Sequence, residues 1–388
     1  MAVISVGVGG SIQAAIDAAQ PGDTVQVAAG SYVNQFLSVF KDITLMAVGG
    51  FVVMTETIQP PNGKAMIDEG GNVTISGFDI SGVTVPDANG AAVRYEFGNL
   101  RLNDVYFHGN QDGILGAPDP NGSIAIDHSE FAFNGVGGSG LTHDIYIGVV
   151  ANFTLTNSYI HDANQGHEVK SRAANNVIQN NRIFDNNAPA SYTVDLPNGG
   201  NATITGNVIQ QGPNSPNQNI FAFGEEGLVA GHTNNVAMSG NTIVNDRSGG
   251  VGILNPTGVG LLNFTGNAEF GLANPLGASV LGARPILDLS PIGFIAGSGG
   301  SPAPTPPPPP PPTPEPPPPP IPIPPPPPPP PPLTLDQYHN LEASLFSTYA
   351  TVHPAVWSSS SALTAITTEL LSKTVLTTPP SGDLWTPR

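Results

Sequence analysis

Residues 175–184 read NNVIQNNRIF, residues 201–210 NATITGNVIQ and residues 235–244 NVAMSGNTIV. Each stretch carries an apolar residue three places after its start (Ile178, Ile204, Met238) and a second one five places later (Ile183, Ile209, Ile243). Working outward, the pattern begins at Asn72, Asn99, Ser123, Asn152, Asn175, Asn201, Asn235 and Leu261, at spacings of 27, 24, 29, 23, 26, 34 and 26 residues. The first apolar offset is filled by Ile75, Leu102, Ile126, Leu155, Ile178, Ile204, Met238 and Phe264, and the second by Ile80, Phe107, Phe131, Ile160, Ile183, Ile209 and Ile243. The eighth segment has Glu269 at the second offset with Phe270 beside it, so the register slips there or the repeat is ending. Short strands that each send one side chain inward, joined by a turn, explain these offsets, and no helical period does. The turn reads Asn181, Asn207, Asn241 and Asn267 at the sixth offset, three of them preceded by Gly. A left-handed bend followed by an amide that can bond the repeats on either side is an asparagine ladder. Constant strands with variable spacing confine insertions to loops, as a solenoid with one coil per repeat allows, and eight coils at about 4.8 Å each make a rod on the order of 40 Å.

A solenoid needs its open ends covered, since bare sheet edges invite pairing with other chains. Ser11 followed by IQAAIDAAQ predicts an amphipathic helix with Ser11 as its cap and Ile12, Ala15, Ile16 and Ala19 on one face, closed by the turn Pro21 to Asp23. The run SIQAAIDAAQPGDTVQVAAGSY, followed by ITLMAVGG, resembles the opening of the pectin-lyase-like superfamily of right-handed parallel β-helices. In that superfamily the helix covers the core and the GDTV strand starts the first coil. The resemblance spans about residues 1 to 295 and implies an all-β, right-handed parallel β-helix with an N-terminal capping helix. It does not name an activity, because the superfamily holds lyases, hydrolases, epimerases, esterases and non-catalytic viral and adhesive proteins.

Composition divides the chain at the proline tract. There are 43 prolines among 388 residues, and Pro302 to Pro332 is almost entirely proline, a polyproline spacer with a reach on the order of 90 Å. The expected organisation is a β-helix domain over 1–298, a linker over 299–332 and a small helical or partly disordered module over 333–388. The last carries Leu335, Tyr338, Leu341, Leu345 and Tyr349 on one helical side. A net charge of −18 with only 11 Lys and Arg argues against nucleic acid as partner. The absence of cysteine removes disulfides, thiol nucleophiles and cysteine-based zinc sites. The opening MAVISVGVGG has no leader-like charged and apolar regions, and no run reaches the roughly 18 apolar residues of a membrane span. Acidic, Cys-free, Gly-rich chains with proline-rich linkers resemble exported bacterial proteins, so a secreted or cell-surface monomer is expected.

Chemistry is sought on a further strand of each coil: AAVRYEFG (91–98), THDIYIG (142–148), GHEVKSRA (166–173) and SYTVDLPNGG (191–200). With Val93, Ile145, Val169 and Val194 facing inward, period-two alternation exposes Arg94 and Glu96, Asp144 and Tyr146, Glu168, Lys170 and Arg172, then Thr193 and Asp195. Lys170 and Arg172 share a strand face and, with Arg182, make three of the eleven cations of an acidic chain. Such a pair would grip an anionic sugar carboxylate, Arg172 bidentately and Lys170 as a point charge. β-Elimination from a uronic acid then needs a base and an acid, roles open to Tyr146, Lys170 and nearby histidines. The catalytic candidates are therefore Lys170, Arg172, Tyr146 and Asp195, and the substrate-binding candidates Glu168, Asp144, Arg94 and His167.

Asp144, Glu168 and Asp195 could hold Ca²⁺, the ion that the resemblance implies bridges the substrate carboxylate in related lyases, or act as a hydrolytic pair. No cofactor is otherwise called for. Opposite charges on neighbouring coils are also what a stable solvated sheet face looks like, with pairs worth roughly 0.2 to 1 kcal/mol. His143, His167 and Tyr192 have the opposite parity and are expected to stack as a structural column. His161 and Asp162 read as a polar turn. The adjacent Glu225 and Glu226 of FAFGEEG face opposite ways if in a strand, which leaves Glu226 to cap a loop.

The Arg-x-Pro-Arg element of pectate lyases, the paired aspartates of polygalacturonases and the Asp-Pro-His of alginate epimerases are missing from the sequence, so none of those activities carries over by residue. THDIYIG, GHEVKSRA and YTVDLPNGG together resemble a set that recurs in bacterial right-handed β-helix proteins. Two readings stand: an enzyme acting on an acidic polysaccharide, by β-elimination or with the same groove used for hydrolysis or epimerisation, and a non-catalytic glycan-binding or surface-structural protein. A third places the partner on residues 333–388.

Overall fold

The computed structural model describes residues 1–136, 142–256, 258, 261–276 and 279–295; the expected linker and C-terminal module lie outside the described residues. Within them, parallel strands wind into a right-handed β-solenoid. The repeat read from the sequence is its register: Asn72, Asn99, Ser123, Asn152, Asn175, Asn201, Asn235 and Leu261 pair in succession from coil to coil. The two inward columns, Ile75 to Phe264 and Ile80 to Ile243, pair in the same way and form the centre of the core. Glu269 pairs with Ile243, so the register does not slip. Its side chain is buried at the end of the rod and Oε2 accepts from Leu276 N at 2.8 Å, which closes the last coil.

The asparagine ladder holds the bend between the two columns. Asn207 is representative: its Oδ1 accepts from Asn181 N (2.8 Å) and Nδ2 (3.0 Å), and its own Nδ2 donates to Ile178 O (2.8 Å). Asn241 and Asn267 repeat these bonds. Toward the N-terminus, where no asparagine stands, Ser158 and Ser129 continue the row through their hydroxyls. Buried backbone N–H groups at the corners would otherwise go unpaired, at about 1–3 kcal/mol each.

The capping helix spans Ile12–Ala18. Ser11 Oγ accepts from Ala14 N at 3.1 Å, and Ile12, Ala15 and Ile16 turn into the core. Lys41 Nζ donates to the carbonyls of Ile16, Asp17 and Ala19 (2.9, 3.2 and 3.0 Å), a cation at the negative end of the helix. After the last coil, residues 284–294 return along the outside of the rod as a strap. Arg284 pairs with Asp246 (2.6 Å), Asp288 O accepts from Arg182 (2.9 Å), Ile292 N donates to Glu130 (2.7 Å), and Phe294 packs edge-on against Phe51 at 5.3 Å. Among the described residues, no helix is long and apolar enough to cross a membrane.

Candidate functional site

Three short strands carry the site: Ile145–Ile147, Val169–Ser171 and Val194–Leu196. Their inward residues Ile145, Val169 and Val194 pair directly, so Tyr146, Lys170 and Asp195 line up outward on successive coils. Arg172 follows the end of its strand, held by its backbone N to Ile147 O at 3.0 Å.

These four side chains converge. Lys170 Nζ lies 3.0 Å from Asp195 Oδ2 and 2.9 Å from Glu226 Oε1. Arg172 reaches Glu226 Oε2 at 2.6 Å, donates from Nε to Tyr146 Oη at 3.1 Å, and bonds Asn198 Oδ1 through Nη1. Lys170 is only 5% exposed and Asp195 is fully covered. Burial works against the Lys170 ammonium, but the Asp195 and Glu226 carboxylates outweigh it and hold its pKa above the ordinary lysine value. The reverse holds for Glu226, whose burial is overcome by Arg172 and Lys170 so that its pKa falls. Glu225 bonds Asp195; burial and that neighbouring negative charge push it up to about 9, so it keeps its proton near neutrality.

The stack of His143, His167 and Tyr192 forms the floor beside this cluster, with ring centroids 5.0 and 5.3 Å apart, and Tyr146 lies over His143 at 5.5 Å. His143 Nδ1 accepts from His167 N (3.0 Å) and His167 Nδ1 from Tyr192 N (3.1 Å). Both rings therefore carry their proton on Nε2, and burial holds both pKa values well below the ordinary value. His167 Nε2 faces Asp195 Oδ2 at 3.3 Å. The column is structural in its stacking, and His167 also reaches a group of the site.

Three other expected residues lie elsewhere. Arg94 is two coils away, because the strand Asp112–Gly116 intervenes and places Leu115 between Arg94 and Tyr146. Leu115 packs with Ala65, Ala91 and Tyr146 in a small apolar patch, and Arg94 pairs with Glu96 at 2.8 Å. Asp144 and Glu168 do not face solvent. Each precedes its three-residue strand, where the chain is still bending, and each is fully buried at a corner.

There they complete a second ladder. Asn110 and Asn134 bond in series, and Asp144 Oδ1 accepts from Asn134 N (3.1 Å) and Nδ2 (2.7 Å). The next coil has Ala163 at the ladder position, and its N–H is met by Glu168 Oε1 at 3.0 Å. Burial, with the Asp144 charge, drives Glu168 well above the carboxylate range, and burial pushes Asp144 up to about 6; the two share a hydrogen bond. Thr193, expected outward, is also buried and donates to Asp185 at 3.1 Å. Arg182 lies on another face, over the Tyr159 ring at 4.3 Å. His161 is no ordinary turn residue: it ends a strand, bonds Glu130 (3.2 Å) and Asp162 (2.7 Å), and is held by these carboxylates at about 9 despite its burial.

The residues do not fit Ca²⁺ as expected. Asp144 and Glu168 turn into the corner, Asp195 faces a lysine, and no group of three or more His, Cys, Asp or Glu gathers to hold an ion among the described residues.

Glu225, Glu226 and Asn198 were not among the expected site residues. The two glutamates follow the strand Asn219–Phe223 in a loop, so strand alternation does not govern them, and Glu226 turns to Lys170 and Arg172 while Glu225 turns to Asp195. The backbone of Glu226 is exposed while its side chain, 21% exposed, folds onto the cations. The sequence does hold a signal for this loop: the spacing of 34 from Asn201 to Asn235 is the longest in the repeat, and the excess residues lie in 224–234, next to Lys170 and Arg172.

Comparison with known proteins gives a match of residues 57–268 to the family described as right handed beta helix region. Among solved structures, alginate lyase from Paenibacillus sp. str. FPU-7 is similar at 16% identity and a TM-score of 0.52, covering 72% of this chain and 97% of that one. Pectate lyase Pel9A is similar at 15% identity and a TM-score of 0.50, covering 72% of this chain and 77% of that one. At these identities the likeness is one of fold. Comparison with curated protein sequences finds no match.

Proposed function

The chain belongs to the right-handed β-helix family, and from that premise we propose that it is a carbohydrate-active protein whose groove binds an acidic, uronic-acid-containing polysaccharide and cleaves it by β-elimination. The observation that carries this reading is the meeting of Lys170 and Arg172 on one carboxylate, that of Glu226 (2.9 and 2.6 Å). A site that holds one carboxylate between an ammonium and a guanidinium is chemically suited to the C6 carboxylate of a uronate. The two similar folds are an alginate lyase and a pectate lyase, and alginate and pectate are both polyuronates.

In this reading Arg172 neutralises the carboxylate, which makes the proton on the adjacent carbon acidic. Tyr146 Oη, which accepts from Arg172 Nε, is the oxygen placed to take that proton as the phenolate, becoming the phenol; the electron pair forms the C4–C5 double bond, the C4–O bond breaks, and the Lys170 ammonium gives a proton to the leaving oxygen. His167 is excluded as the base, because its free lone pair on Nδ1 already accepts a backbone N–H. Hydrolysis needs two carboxyls roughly 5–9.5 Å apart across the bond; Asp144 with Glu168 is buried and cannot serve, and the remaining pair, Asp195 and Glu226, is held by Lys170.

The rival is a non-catalytic glycan-binding protein, and one observation favours it: both cations already have carboxylate partners. Incubating the full chain with alginate and pectate, while following the absorbance of unsaturated products, separates the two. The enzyme reading expects product, lost in Lys170→Ala and Arg172→Ala. Retention on immobilised polyuronate without product establishes the rival.

A further inference from the structure

Lys170 and Arg172 present their charge to a single carboxylate, and the carboxylate they hold belongs to the chain itself. Glu226 bridges them, Oε1 to Lys170 Nζ at 2.9 Å and Oε2 to Arg172 Nη1 at 2.6 Å. We infer that Glu226 is the specificity-determining residue of the groove: it occupies the place of the ligand's carboxylate and must be displaced by it, so that a uronate enters where a neutral sugar does not. The inference rests on the reading of Lys170 and Arg172 as a carboxylate site.

Four observations support it. Glu226 comes from a loop, while the cations come from stacked coils, so the two halves of the contact differ in how firmly they are built. The loop is tied to the turn beneath it by single bonds rather than by a strand ladder: Gly224 N to Leu196 O (2.9 Å), Glu226 N to Pro197 O (3.0 Å), Val229 N to Asn198 O (3.3 Å) and Asn198 Nδ2 to Gly227 O (3.0 Å). Its ends are Gly224 at φ 73° and Gly227 at φ 96°, left-handed conformations open to glycine at little cost and suited to a hinge. Finally, the cations keep their places without Glu226. Arg172 still bonds Tyr146 and Asn198, and Lys170 still faces Asp195.

The exchange is selective for a physical reason. Withdrawing Glu226 leaves two partly buried cations short of a partner, and breaking such a contact is costly unless another anion replaces it. A uronate carboxylate makes the same two contacts and restores the balance; a hydroxyl cannot.

The test is calorimetric titration of the full chain with oligogalacturonate, oligomannuronate and a neutral cello-oligosaccharide, in wild type, Glu226→Gln, Glu226→Asp and the double variant Lys170→Met/Arg172→Gln, with circular dichroism to confirm folding. Glu226→Gln is expected to bind one of the uronates on the order of tenfold or more tightly than wild type, with the neutral sugar still unbound. Glu226→Asp, which draws the charge back by one methylene, is expected to show a smaller gain. Binding that is unchanged or weaker in folded Glu226→Gln, but lost in the double variant, overturns the inference and leaves the carboxylate-site reading standing. Equal binding by the double variant and wild type, or no uronate binding by either wild type or Glu226→Gln, overturns both.

Discussion

Glu69 offers a test of how the solenoid interior treats charge, and replacing it by glutamine has an effect that can be worked from the structure. Glu69 sits at an inward position, paired with Val39 on one side and Tyr95 on the other, fully buried, and neither carboxyl oxygen meets a hydrogen-bond donor among the described residues. Burial, reinforced by the negative charges of Asp68 and Glu96, pushes its pKa from 4.5 up to about 9. The folded state thus keeps a proton that the unfolded chain releases. For a group raised in this way, stability is fully present below about pH 4.5 and is lost as pH climbs toward about 9, by about 1.4 kcal/mol per pH unit. At neutral pH the loss is about 3 kcal/mol. Glutamine carries no charge at any pH, so Glu69→Gln should match wild type to within a constant offset near pH 4 and gain about 3 kcal/mol on it by pH 7. Urea titrations followed by circular dichroism measure this; tryptophan fluorescence does not, since Trp357 and Trp385 lie beyond the described solenoid. A stability difference that stays flat from about pH 4 to about pH 8 would refute the reasoning, because it would mean that Glu69 ionises alike in both states.

Asn207→Ala should destabilise the chain by about 3 kcal/mol or more, since it orphans Asn181 N and Ile178 O in a buried corner, whereas Asn175→Ala on the exposed row should lie within about 0.5 kcal/mol of wild type; chemical denaturation compares them. Glu168→Gln keeps a donor for Asp144 and an acceptor for Ala163 N, so uronate binding and product formation should equal wild type, and a loss of binding in that folded variant would return Glu168 to the groove. Arg172→Lys should weaken uronate binding on the order of tenfold or more, read by titration, because a lysine cannot serve Tyr146, Asn198 and a carboxylate at once.

The fold was legible because a parallel solenoid repeats its register in its sequence. Ile178, Ile204 and Met238 recur at one offset for the same reason that they stack, and Asn207 marks the corner because a buried bend needs an amide. The site was legible only where a strand governs direction. Tyr146, Lys170 and Asp195 lie within strands and obey alternation; Asp144 and Glu168 lie one residue before strands of three and obey the corner instead. Arg94 was misplaced because the coil at 112–116 shows Leu115 to the outside and so left no charged mark in the pattern. Glu226 is a loop residue, as its sequence suggests, but strand alternation says nothing of where such a loop turns, and both glutamates stand just past a strand end in the longest insertion of the repeat.

The turn of that loop onto the site changes what the cations mean. From the sequence, Lys170, Arg172 and Arg182 look like a positive patch on an acidic protein. In the fold Arg182 leaves for another face, and the remaining two charges meet Asp195 and Glu226, with Glu225 protonated beside them. The cluster as it stands is close to neutral within a chain of net charge −18, so long-range attraction cannot gather a polyanion there. Selectivity must come at contact range, from which carboxylate the two cations hold. This makes the loop at 224–227, rather than the number of cations, the feature on which an acidic ligand's affinity depends.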